Sequence, residues 1–136
     1  MKVDLRHGIS RVDRITVDKD RTISFMGDGA SVYSTPRLVQ DIEQTCRNLL
    51  LDYSDVGEDS VGMEISLQHL APTLVGMVVE ITVTVKGVDG RKVSFEVHAK
   101  DDFDVIGVGS HTRFVVDVAR TLERLKAKAA RRVPSG

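Results

Sequence analysis

Between Val79 and Ala99 the chain alternates apolar and polar residues with a period of two, interrupted by one tight-turn signal. This feature constrains the fold more than any other. Val79, Ile81, Val83 and Val85 are interleaved with Glu80, Thr82, Thr84 and Lys86; Asp89-Gly90 follows; then Val93, Phe95, Val97 and Ala99 alternate with polar partners. Successive strand side chains point to opposite faces, and Asp-Gly is a strong two-residue hairpin signal. The pattern therefore predicts an antiparallel pair with one buried and one wet face.

That buried face needs a cover, and the segment after Thr35-Pro36 supplies one. Thr can cap free backbone N–H groups, and Pro is tolerated at the first helical position. The helix is expected to run to about Tyr53. Its apolar residues Leu38, Val39, Ile42, Cys46, Leu49 and Leu50 fall within an arc of about 120°, the width of a core-facing stripe. Further strands are expected at Arg14–Val17, Thr22–Phe25, Val61–Leu70 and Val105–Val116, with Asp18-Lys19-Asp20 as a turn and Gly27-Asp28-Gly29 as a loop. In the Val61–Leu70 strand, Met63, Ile65, Leu67 and His69 share one face. A short amphipathic helix with a basic finish is expected from Val118 to Arg131. The order is short strands, one long helix, then four strands, an α+β arrangement with an antiparallel sheet around a helix.

The chain reads as a single domain over residues 1–136, with 1–13 and 131–136 as flexible ends. Nineteen basic residues against twenty acidic ones leave a formal charge of -1, which argues against broad nucleic-acid binding. One cysteine, Cys46, rules out an intramolecular disulfide and paired-cysteine zinc sites. The N-terminus lacks a signal-peptide core, and no apolar run approaches the roughly 20 residues of a membrane helix. A cytoplasmic protein with no membrane contact is expected. His7, His69, His98 and His111 lack ligand-like spacing, so no metal site is expected.

Four residues carry possible chemistry. Glu43 projects about 140° from Leu38 at 100° per residue, at the margin of the buried stripe. A carboxylate there either bends outward to water or loses solvation and rises in pKa unless hydrogen-bonded. His69 ends its strand among apolar same-face neighbours, just before Leu70-Ala71-Pro72-Thr73 breaks it; it is either a satisfied core histidine or a group shared between core and cleft. Thr35 is an ordinary N-cap, or a group at a helix N-terminus that favours developing negative charge. Arg113 alternates with His111, Gly109 and Gly107, and either binds a carboxylate or phosphate or lies on a wet sheet face. The terminal cluster of Arg124, Lys126, Lys128, Arg131 and Arg132 reads first as a solvated helix end and second as a contact for nucleotide phosphates.

Taken together, several segments resemble the fluoroacetyl-CoA thioesterase family of hot-dog proteins, from about Arg14 to Val118. They are Ser34-Thr35-Pro36 opening a helix, Glu43 within it, the run from Leu67 to Gly76, the run from Val88 to Val97, and the run from Ile106 to Val116. The resemblance implies a hot-dog fold and hydrolysis of a short acyl-CoA by Thr35, Glu43 and His69, with no cofactor beyond the CoA thioester itself. It implies that the Gly62 backbone N–H helps place the thioester or water, that Arg113 lies near the ligand, and that two copies form a homodimer with interfacial sites. Glu43 would be nucleophile or base, and His69 the acid/base. The sequence departs from the family in the loop before Thr35, Met26-Gly27-Asp28-Gly29-Ala30, which lacks the family's lid phenylalanine. The resemblance then points to another short, branched or functionalised acyl group. A non-catalytic module that binds acyl-CoA is the alternative reading.

Overall fold

A computed structural model describes residues 1–132. The elements are β1 (Ser10–Thr16), β2 (Thr22–Ile23), β3 (Val32–Tyr33), α1 (Thr35–Leu51), β4 (Glu58–His69), β5 (Val78–Asp89), β6 (Lys92–Lys100), β7 (Val105–Asp117) and α2 (Val118–Ala130). Five strands form one antiparallel sheet in the order β1-β5-β6-β7-β4, and β2 pairs with β3 separately. β4 and β1 are the two edges.

The expected hairpin is β5–β6, with Gly90 in the left-handed region at φ 60°, a conformation that suits glycine. Val79, Ile81, Val83, Val85, Val93, Phe95 and Ala99 are all buried on the inner face against Leu38, Ile42, Cys46, Leu49 and Leu50 of α1. At about 25 cal/mol per Å² of apolar surface, each such side chain contributes roughly 1.5–3 kcal/mol, which makes this layer the main source of stability.

Several boundaries differ from the sequence expectations. The first strand begins earlier, at Ser10, and pairs with β5 through Thr16; Leu5, upstream of it, joins the core. The Thr22–Phe25 strand is only Thr22–Ile23, because its partner β3 is two residues long. The long helix ends at Leu51, and Asp52 caps it through its own N–H to the carbonyls of Leu49 and Leu50. Asp41 and Thr45 are buried beside the apolar stripe. Met63 leaves the face it was expected to share with Ile65, because the β4–β7 register shifts between Gly62 and Glu64. Ser60, Gly62, Ile65, Leu67 and His69 then oppose inward-facing residues of β7. α2 buries none of its residues. The expected tail at 131–136 falls outside the described residues from position 133 onward. Among the described residues no helix is long and apolar enough to cross a membrane.

Candidate active site

The structure gathers the candidate residues at two stations where α1 and β4 face each other. At the first, Ser34 rather than Thr35 is the N-cap: its Oγ accepts from the Arg37 N–H at 3.4 Å, and Thr35 is already helical. Capping by Ser34 leaves the Thr35 hydroxyl available, and Thr35 Oγ1 lies 2.8 Å from His69 Nδ1. His69 is the last residue of β4, opposite Gly107. Its Nε2 is buried without a hydrogen-bond partner, an arrangement that buried polar atoms rarely show. Burial alone pushes the His69 pKa below the ordinary histidine value, so the ring is held neutral.

A buried network supports this ring. The Tyr33 ring stands edge-on to His69 at 6.4 Å with an 81° interplanar angle. Its hydroxyl donates to Asp41 Oδ2. The Arg21 guanidinium donates to the same carboxylate, from Nε at 2.9 Å and Nη2 at 3.3 Å. Burial, followed by the bond to Asp41, drives the Tyr33 phenol well above its usual pKa, so it stays a donor. None of these three residues stood out in the sequence. Tyr33 sits in a two-residue strand, and Asp41 reads as an exposed helix position until its partners are known.

The second station centres on Glu43, which is half-buried. A Cβ placed on Gly62 would lie 3.0 Å from Glu43 Oε1, 3.4 Å from His111 Cε1 and 3.7 Å from Arg113 Nη1. Gly62 is thus the position on β4 that lets the carboxylate approach the strand. Arg113 is buried and not on a wet face: its Nε donates to Ser60 Oγ at 2.8 Å and its Nη2 to the Ser60 carbonyl at 2.9 Å. His111 Nδ1–H donates to the Glu64 carbonyl at 2.7 Å, which leaves Nε2 to accept from Arg113 Nη1 at 3.3 Å. Burial lowers the His111 pKa first, and the Arg113 charge lowers it further. Burial also lowers the Arg113 pKa, and Glu43 is the leading influence in the opposite direction. Glu43 itself forms neither a hydrogen bond nor an ion pair among the described residues. It faces a buried cation with its acceptor capacity unused.

The two stations are separate within one chain. Thr35 and Glu43 lie about 12 Å apart along the helix axis at 1.5 Å per residue. Gly62 and His69 are on the order of 20 Å apart along β4. One chain therefore places Thr35 on His69, and Glu43 beside Gly62, His111 and Arg113, but does not place Glu43 on His69. Cys46 is buried in the core, and burial pushes its thiol up to about 12, which removes it as a nucleophile. Among the described residues no three His, Cys, Asp or Glu side chains are grouped to hold a metal.

The family model for fluoroacetyl-CoA-specific thioesterases matches residues 17–119. A fluoroacetyl-CoA thioesterase from Streptantibioticus cattleyicolor is 35% identical over 105 residues, covering 77% of this chain and 73% of the relative. A mutant of the fluoroacetyl-CoA-specific thioesterase superposes with a TM-score of 0.86 at 28% identity, covering 93% of this chain and 99% of that one. The same mutant in complex with fluoroacetate and CoA gives a TM-score of 0.80 at 28% identity, covering 86% and 99%. A hot-dog-like protein from Thermanaerovibrio acidaminovorans gives 0.82 at 25% identity, covering 90% and 91%. The antiparallel sheet around α1 is a hot-dog fold.

Proposed function

We propose, since the chain belongs to the fluoroacetyl-CoA-specific thioesterase family, that it is a cytoplasmic homodimeric hydrolase that cleaves a short or functionalised acyl-CoA to the free acid and CoA. The observation that carries this reading is His69, with Nδ1 held by Thr35 and Nε2 buried without a partner. If Nδ1–H donates to the Thr35 oxygen, the Nε2 lone pair can take a proton from water. Burial keeps the ring in that basic form at neutral pH. Water, or Glu43 followed by water, adds to the thioester carbonyl. The C–S bond breaks, and the thiolate takes up the proton held by His69. The Gly62 N–H and the Arg113 charge favour the oxyanion as it forms. The reaction needs no cofactor.

The gap between the stations supports a site assembled from two copies. β4 is an unpaired edge whose Val61, Met63 and Ile65 are 45%, 55% and 37% exposed. Antiparallel pairing with a second β4, centred near Ile65 and Ser66, brings Gly62 and Glu43 of each chain opposite His69 and Thr35 of the other. Each dimer then holds two complete sites. The loop before Thr35 carries Phe25 and Met26, both exposed, and no phenylalanine after them. This supports an acyl group other than fluoroacetyl.

The test is thiol release, followed with a chromogenic disulfide reagent, over acetyl-, branched, aromatic and dicarboxylic acyl-CoAs. Wild type and His69→Ala are compared side by side. Rapid release from one class, reduced about 100-fold or more in the variant, is the expected result. CoA binding without release from any substrate would instead identify a binding module.

A further inference from the structure

One hydrogen bond does not fix an imidazole. Thr35 holds His69 Nδ1 at 2.8 Å, but Thr35 is exposed and His69 Nε2 has no hydrogen-bond partner. A ring held at one nitrogen can turn about that bond, and Nε2 then swings away from any single reacting position. A second contact is needed to set the plane. Among the described residues the one aromatic ring against His69 is Tyr33, with 6.4 Å between centroids and 81° between planes. Edge-to-face contacts at this separation are attractive and directional. We propose that Tyr33 is a positioning residue for the reaction: its ring, locked by Asp41 and Arg21, holds the His69 imidazole with Nε2 toward the thioester. The inference rests on the thioesterase reading above and adds to it a residue that acts on the reaction only through His69.

The lock is more polar than packing requires. Tyr33 is 1% exposed and Asp41 7%, so phenol and carboxylate are both removed from water. Asp41 Oδ2 accepts from the Tyr33 hydroxyl and from Arg21 Nε, and Asp41 Oδ1 accepts from Arg21 Nη2. Replacing such a buried pair by apolar side chains of similar volume often leaves a fold as stable or more so. Stability alone therefore does not account for it. What the carboxylate supplies is a single orientation for the phenol. The backbone fixes the same ring from its other end: the Tyr33 N–H donates to the Thr73 carbonyl and the Ser34 N–H to the Arg21 carbonyl, both at 2.8 Å. Thr73 belongs to the turn that follows His69. The segment carrying Arg21, the strand carrying Tyr33 and that turn are thus tied together around the imidazole.

The lock works by shape rather than by charge. The charged groups around Tyr33 are Arg21, Arg37, Asp41 and Asp18, two cations and two carboxylates. Burial is the only cause that lowers the His69 pKa, so none of the four acts on the imidazole through its field. Loosening the lock should change where the imidazole points and leave the pH at which it titrates in place.

The test compares wild type with Tyr33→Phe, which keeps the ring and cuts the bond to Asp41, and Tyr33→Leu, which removes the ring. Misplacing a reacting group by about 1 Å costs on the order of 100-fold. The expected result is a kcat lowered about 10- to 100-fold in Tyr33→Leu and about 3- to 10-fold in Tyr33→Phe, measured well below each melting temperature. KM and the acid limb of Tyr33→Phe should match wild type. Nitrogen NMR of the imidazoles, assigned with His69→Ala, reads the ring without substrate. Wild type should give one narrow His69 tautomer, and Tyr33→Leu mixed or exchange-broadened signals. A wild-type kcat in folded Tyr33→Leu, a loss confined to KM, or a displaced acid limb in Tyr33→Phe overturns the proposal. If Tyr33→Leu does not fold, Tyr33→Phe decides, and a kcat equal to wild type refutes it. If wild type hydrolyses no acyl-CoA, the thioesterase reading fails separately, and the spectra still decide this one: His69 signals alike in wild type and every folded variant refute it.

Discussion

The sheet has two edges, and they are built in opposite ways. β1 carries charge along its length: Arg11 pairs with Asp13 at 2.8 Å and with Asp52 at 3.4 Å, and Arg14 pairs with Glu80 at 2.6 Å. Exposed ion pairs of this kind add little stability, but a charged edge resists addition of another strand. β4 presents Val61, Met63 and Ile65 instead, with Gly62 among them and His69 at the end of the strand. The edge proposed to accept a partner is thus the edge that carries the candidate chemistry. In this reading, assembly and catalysis use the same residues, and the other end of the sheet is closed so that only one pairing forms.

The strongest way to break that contrast is to give β4 the character of β1. Ile65→Lys should yield a monomer by sedimentation and reduce turnover by at least about 100-fold, because each site loses its partner's contribution. Val12→Lys on β1, also at an exposed position, should change neither mass nor rate. Gly62→Ala acts more narrowly. Its methyl would meet Glu43 Oε1 at 3.0 Å, the end of a flexible side chain, so the fold should tolerate it. The displaced carboxylate should still lower kcat roughly 10- to 100-fold, with the melting temperature nearly unchanged.

Acidity separates the two stations more finely. The proposed base is the neutral His69 ring, and burial lowers its pKa. The acid limb of kcat/KM should therefore fall below the ordinary histidine value, with activity retained above the limb and lost as pH drops through it. Stability follows the same sign. The unfolded chain binds protons at the ordinary histidine pKa, while folded His69 and His111 resist them. Stability is therefore full above that value and declines as pH falls toward the folded pKa values. An acid limb at or above the ordinary histidine value would remove His69 as the base. The smallest expected effect is Tyr33→Phe. It removes one donor from buried Asp41 but leaves Arg21, and should cost about 1–3 kcal/mol in denaturant unfolding.

The central hairpin and helix were legible because they are periodic: burial follows the alternation residue by residue from Val79 to Val85 and from Val93 to Ala99. β3 was not, because two residues have no period, and its pairings reach β2 and Leu74. The cap was ambiguous for a local reason, since Ser34 and Thr35 are both able to cap and only the fold shows which one does. Arg113 and His111 were visible as a pair on one face. Whether that face was wet depended on Ser60, 53 positions earlier, whose hydroxyl and carbonyl accept hydrogen bonds from the Arg113 guanidinium. Asp41 was missed for the same reason, because its donors Tyr33 and Arg21 lie 8 and 20 positions upstream. Periodicity reports which face a residue is on; it does not report what a distant segment brings to that face.

The most direct measurement of the central claim is complementation between two inactive variants, Glu43→Ala and His69→Ala, purified, mixed, unfolded together and refolded. With Glu43 and His69 drawn from opposite chains, half the dimers are mixed and each mixed dimer has one intact site of two, so about one quarter of wild-type activity should return. If the mixture stays as inactive as its components while wild type refolds with full activity, each site is complete within one chain, and the account of β4 as a shared catalytic edge is wrong.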